Sequence, residues 1–154
     1  MLKSIVKLYG FSENECEFKS FGNGLINHTW LLEYQGKKFI LQKINDTVFP
    51  HPAMITENLQ YLQVFFNEHF PNYLFANPLP TLQNEEMVFI PETGYFRMFK
   101  FVKGSVTFDT VDDSVIAFEA ATACVVSRKV GRSGLRRSTT ARSRASISSA
   151  VSMA

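Results

Sequence analysis

The composition breaks once, near Cys124, and that break limits how much of the chain can build a core. All 21 aromatic and all 14 acidic residues of the 154-residue chain lie before it. Residues 125–154 hold seven Lys and Arg and eight serines, with no acid and no aromatic ring. The overall charge of +2 thus divides into −5 over residues 1–124, where nine cations meet fourteen acids, and +7 over the tail. A segment with few large apolar residues and one sign of charge cannot bury enough surface to offset its ordering entropy. The tail, 125–154, is therefore expected to be disordered, and 1–124 to hold the one domain this length predicts.

Inside 1–124 the chain reads as alternating structural signals. Leu2, Ile5, Val6 and Leu8-Tyr9 recur at helical spacing, and Gly10 is a stop. Residues 16–21 form a short strand leading into Gly22-Asn23-Gly24. Two glycines around one small polar residue let the backbone bend sharply and let a ligand approach closely. A second strand follows to Tyr34, then a tight turn at Gln35-Gly36, then a third strand ending in Gln42-Lys43. A polar and a cationic side chain at that end lie near whatever sits under the glycine turn, the layout of a phosphate-covering hairpin.

Pro52 suits the first turn of a helix, and Met54, Ile55, Leu59, Leu62, Phe65 and Phe66 share one face of it. A Pro- and Asn-rich link, 71–84, leads to strands at Met87–Ile90 and Tyr95–Val102, broken at Gly104-Ser105. Asp112-Asp113-Ser114 can cap a last helix through Ala121. The order predicts an α+β fold: a five-stranded antiparallel sheet with one helix packed on it.

Some classes are set aside on composition. No window of about 18 apolar residues is present, so no membrane span is expected. The N-terminus lacks the apolar core and cleavage site of a signal peptide, and cytoplasmic localisation follows as the default. Two cysteines, Cys16 and Cys124, make neither a disulfide framework nor a zinc site. His28, His51 and His69 have no metal-ligand spacing. The basic tail lacks an Arg-Ser repeat and stacking aromatics, which argues against nucleic acid as a partner.

The stretches Gly22–Thr29, Phe39–Asn45, Val48-Phe49-Pro50, Glu57-Asn58 and Phe96-Arg97 through Gly104-Ser105, in that order, resemble the N-terminal lobe of kinase-like phosphotransferases. These form the aminoglycoside phosphotransferase and choline kinase family, and the likeness is closest to the N-acetylhexosamine 1-kinases. It covers residues 15–124. It implies ATP-dependent phosphorylation of a small hydroxyl compound, with N-acetylhexosamine as the substrate of the intact protein. Gly22, Asn23, Gly24, Asn27 and Thr29 would belong to the turn over the triphosphate, their backbone N–H groups facing anionic oxygens. A cation on the third strand would touch the phosphates and be held by Glu57. Met98 to Val102, with Phe99 and Phe101, would be the hinge against adenine. Successive strand residues face opposite ways, so Gln42 and Lys43 cannot both enter the cleft. Alignment slightly favours Gln42; charge favours Lys43, which is taken as the phosphate contact.

The chain departs from the family where chemistry should begin. The family's H-x-D-x-x-x-x-N loop is absent: Trp30, Ala53 and Pro71 stand two residues after the three histidines. Asp109, Asp112 and Asp113 precede no Phe-Gly, so Mg²⁺ ligands are also missing. The expectation is a truncated, cytoplasmic phosphotransferase lobe, inactive alone, with a reading-frame shift just after Cys124. The alternative is a non-enzymatic binding module whose basic tail contacts RNA or an acidic partner.

Overall fold

The computed structural model describes residues 1–22 and 26–105. The expected helix at 112–121, Cys124 and the tail lie outside the described residues, as do Asn23, Gly24 and Leu25.

Two units are present. The first comprises Met1–Thr56 and Ala76–Lys103. It opens with α1 (Leu2–Lys7), passes through a 3-10 turn at Glu13–Glu15, and enters β1 (Cys16–Ser20). β2 (His28–Tyr34) and β3 (Lys37–Lys43) follow, then β4 (Val88–Ile90) and β5 (Gly94–Lys100). These make one five-stranded sheet in the order β1-β2-β3-β5-β4, with every pairing antiparallel. The expectation of a five-stranded antiparallel sheet is borne out. α2 (Pro52–His69) begins in the first unit and continues into the second, which includes Glu57–Phe75.

Turn chemistry fixes the β2–β3 register. Gln35 and Gly36 both have positive φ, 47° and 73°, as a two-residue type I′ turn requires. The Gln35 side chain also donates from Nε2 to Glu15 Oε2 at 2.8 Å, which offsets part of the strain of a non-glycine residue there.

The two faces of the sheet differ. Paired residues share a face, so Leu32, Phe39, Leu41, Phe96 and Met98 form one apolar layer. Ile5 and Val6 of α1 and Tyr9 just after it cover it, with Cys16 and Val88 closing the cluster. Leu41, Leu32, Phe96 and Met98 have no exposed surface, so this layer contributes most of the unit's hydrophobic stabilisation. The Tyr9 hydroxyl is the misfit. It is buried with no hydrogen-bond partner among the described residues, and burial, then Glu85, raises its pKa to about 12. Ile40, Gln42, Arg97 and Phe99 occupy the opposite face and are also buried. β3 and β5 are therefore buried on both sides through Phe39–Gln42 and Phe96–Phe99.

In the second unit, Phe66 is the anchor. Tyr73 stacks on it at 4.5 Å and Phe75 at 5.2 Å between ring centroids, folding the segment after α2 back along the helix.

Candidate functional site: a polar row across three strands

The β2–β3–β5 pairings set one polar row into a buried surface. Thr29 on β2 pairs with Gln42 on β3, and Gln42 pairs with Arg97 on β5. Gln42 Nε2 donates to Thr29 Oγ1 at 3.3 Å. Arg97 donates from Nε at 3.0 Å and from Nη2 at 2.7 Å, both to Gln42 Oε1. Two N–H donors converge on one atom, so that atom must be the amide oxygen, and the amide orientation follows.

Arg97 is only 3% exposed. A guanidinium so deeply buried normally pairs with a carboxylate. Among the described residues the ion pairs are Lys7–Glu13 at 3.1 Å and Lys38–Glu33 at 3.2 Å, and neither involves Arg97. Burial lowers its pKa to about 10, which still leaves it cationic at neutral pH. The Phe99 ring lies 5.0 Å from its Cζ, a cation–π contact that supplies part of the missing compensation.

The row begins beside the connection between β1 and β2. Gly22 there has φ 73°, and an added Cβ would meet nothing within 4 Å. The glycine is thus demanded by backbone conformation, and the space beside it is open. Asn27 Oδ1 accepts the Asn45 backbone N–H at 3.0 Å, tying this connection to the end of β3. Asn45 in turn accepts from the Thr47 backbone N–H at 3.2 Å, an Asx turn that carries the chain toward Pro52. Ser20, Phe21, Gly22, Asn27, His28, Thr29 and Trp30 line a cleft of about 160 Å³. That is smaller than the roughly 300 Å³ at which pockets for drug-sized ligands begin.

The expected site residues fall into three groups. Gln42 and Thr29 belong to the row, and Phe99 lies on its face. Phe101 follows β5, its backbone N–H donating to Lys38 O at 3.1 Å, and its ring meets Phe21 edge-on at 6.0 Å. The expected strand ran to Val102, but β5 ends at Lys100; Gly104, with φ 84°, turns the chain just beyond. Of the hinge backbone, Met98 O already accepts from Leu79 N and Phe101 N is already bonded.

Lys43 stands apart from this row. It pairs with Phe96, on the α1-covered side, and its Cε lies 3.5 Å from where a Gly94 Cβ would stand. Charge favoured Lys43 as the phosphate contact, but the pleat sends it to the face opposite Gln42. Glu57 is exposed and belongs to the second unit. Asn23 and Gly24 lie outside the described residues.

Arg97 was not singled out from the sequence. A strand read as alternating sends every second residue to solvent, and a cation fits that reading. The available signal was the run Phe96-Arg97-Met98-Phe99, where a strand apolar on both sides of one arginine implies that the arginine is buried too.

Among the described residues, no group of three His, Cys, Asp or Glu could hold a metal ion. No described helix is long and apolar enough to cross a membrane.

No family model matches the chain. Among solved structures, the chain is similar to a spectinomycin phosphotransferase in complex with ADP and spectinomycin, at 14% identity and a TM-score of 0.47 over 71% of this chain. It is also similar to an amicoumacin kinase in complex with AMP-PNP and Ca²⁺, at 17% identity and a TM-score of 0.48 over 69% of this chain. The chain spans 31% of the length of each of these structures.

Proposed function

We propose that the first unit is the nucleotide-binding half of a kinase-like, small-molecule phosphotransferase. The intact protein would transfer the ATP γ-phosphoryl group to a hydroxyl of a sugar, with N-acetylhexosamine as the expected acceptor. The observation that carries this reading is the Thr29–Gln42–Arg97 row, buried at Gln42 and Arg97 and half-buried at Thr29, with the open space at Gly22. A buried cation with no ion pair among the described residues, behind an amide donor, suits an anionic ligand. ATP would lie with its phosphates toward Thr29 and Gln42 and its adenine toward Phe101 and Phe99. We assign the strand-3 phosphate contact to Gln42 in place of Lys43, on the orientation of the pleat.

The small size of the turn's cleft supports a half-site that a second lobe completes. Phosphoryl transfer needs a base for the acceptor hydroxyl and ligands for Mg²⁺. The described residues do not fit Mg²⁺, and no step is assigned to the metal. The chain alone would bind nucleotide without turnover. The change of composition after Cys124 supports a shifted reading frame, and translating the coding DNA in all frames beyond that codon tests it directly. A frame that continues with an H-x-D loop and a later aspartate would support it.

The activity test is thermal unfolding of the full chain with and without ATP, together with a transfer assay on N-acetylglucosamine and N-acetylgalactosamine. ATP should raise the unfolding midpoint, since a ligand at a hundredfold excess over its Kd stabilises by about 2.7 kcal/mol, and the assay should stay at blank. No shift at millimolar ATP contradicts nucleotide binding; turnover contradicts the half-site.

A further inference from the structure

Arg97 raises a question that the nucleotide reading leaves open. A neutral amide at a phosphate contact is ambiguous, because its oxygen repels what its nitrogen attracts. Rotation about the last torsion of a glutamine exchanges the two at small cost. In this fold the rotation is blocked. Arg97 Nε and Nη2 bond to Gln42 Oε1 at 3.0 and 2.7 Å, which satisfies both lone pairs of that oxygen. Nε2 is left as the donor end, on the side of Thr29. One of its hydrogens is directed at Thr29 Oγ1 at 3.3 Å, a long contact that yields readily to a stronger acceptor.

The guanidinium also changes the amide's chemistry. Hydrogen bonds from a charged donor polarise the carbonyl and make the N–H a better donor. With Arg97 and Gln42 3% and 6% exposed, little solvent screens that charge.

We propose that Arg97 is a positioning residue for the phosphate site: by holding Gln42 Oε1 it keeps Nε2 as the group that meets the nucleotide phosphates and makes its N–H a stronger donor, in place of a strand-3 cation. This rests on the nucleotide reading above. Arg97 does not itself touch the ligand. It acts through Gln42, so the two residues form one functional unit.

The test is calorimetric titration of the full chain with ATP and with adenosine, which differ by the phosphates. In the wild-type chain ATP binds more tightly than adenosine. Arg97→Met lowers ATP affinity about tenfold, the size of one charge-assisted hydrogen bond, and leaves adenosine unchanged. Gln42→Ala does the same, and the double variant is no weaker than either single one. Arg97→Lys, which keeps charge and one donor, restores part of the difference. Additive losses, or an Arg97→Met chain that keeps the full ATP preference, overturn the proposal.

A second readout needs no ligand and covers a variant that folds poorly. In spectra of the free chain, the two Gln42 side-chain amide protons should lie away from free-glutamine values and exchange slowly, moving fully toward those values in Arg97→Met and partly in Arg97→Lys. An unchanged amide overturns the positioning role even if ATP binds. A wild-type chain with a held amide that binds neither ATP nor adenosine overturns the nucleotide reading itself, and the inference with it.

Discussion

The two faces of this sheet are equally dry and chemically opposite. On one, Leu32, Leu41, Phe96 and Met98 meet Ile5 and Val6 of α1, and nearly every contact is apolar. On the other, Ile40 and Phe99 flank a glutamine and an arginine whose guanidinium makes no ion pair among the described residues. Burial alone therefore does not mark a core. The α1 face gains stability from each group it hides. The opposite face holds a buried cation whose desolvation is offset, among the described residues, by Gln42 Oε1 and the Phe99 ring.

The largest expected effect separates the faces by stability. Leu41→Ala removes a side chain with no exposed surface and should cost roughly 2–5 kcal/mol in denaturant unfolding. The ATP-to-adenosine preference of the folded fraction should not change. A changed preference would mean that the faces are not independent.

The next effect separates them by charge. Gln42→Glu sets a carboxylate against Arg97 and a negative charge before the phosphates. ATP affinity should fall at least tenfold, about 1.4 kcal/mol, while the unfolding midpoint holds or rises. A loss of stability as large as that of Leu41→Ala would show the row to be ordinary core.

A smaller effect tests a polar defect on the α1 side, found among the described residues. Tyr9→Phe deletes a buried, unpartnered hydroxyl and should stabilise the chain by about 1 kcal/mol. Its pH signature has a definite sign. The folded chain holds the Tyr9 proton until about pH 12, whereas an unfolded tyrosine releases it near pH 10. Tyr9 thus contributes fully below pH 10 and loses that contribution as pH rises toward 12. The phenylalanine variant should show a shallower alkaline loss than wild type. Equal slopes would mean that the hydroxyl is solvated.

The smallest effect concerns Lys43. Its replacement by alanine should change stability by no more than about 0.5 kcal/mol and leave ATP binding as it was. A loss matching that of Gln42→Ala would return the phosphate contact to Lys43.

Much of the architecture was legible in the sequence because its signals are local. Gln35-Gly36 announced its turn, Pro52 its helix, and Phe39-Ile40-Leu41 its strand. The site was less legible because its decisive contact joins residues 55 positions apart. No spacing rule links Gln42 to Arg97; only the β3–β5 register does. The choice between Gln42 and Lys43 shows the same limit. Alternation says that one of them faces the cleft, but which one depends on the face that α1 covers, a long-range fact. Charge pointed to Lys43, and the guanidinium behind Gln42 cannot be read from that residue's own neighbours.

The most direct measurement is a side-chain resonance map of ATP binding. Methyl signals of Ile40 and the Gln42 amide report the polar face; methyl signals of Leu32, Leu41 and Ile5 report the α1 face. On titration with ATP, Gln42 and Ile40 should shift together and saturate at one affinity, with the α1 face still. Shifts confined to the α1 face and Lys43, or none on either face, would contradict the assignment of the Thr29–Gln42–Arg97 row to a nucleotide.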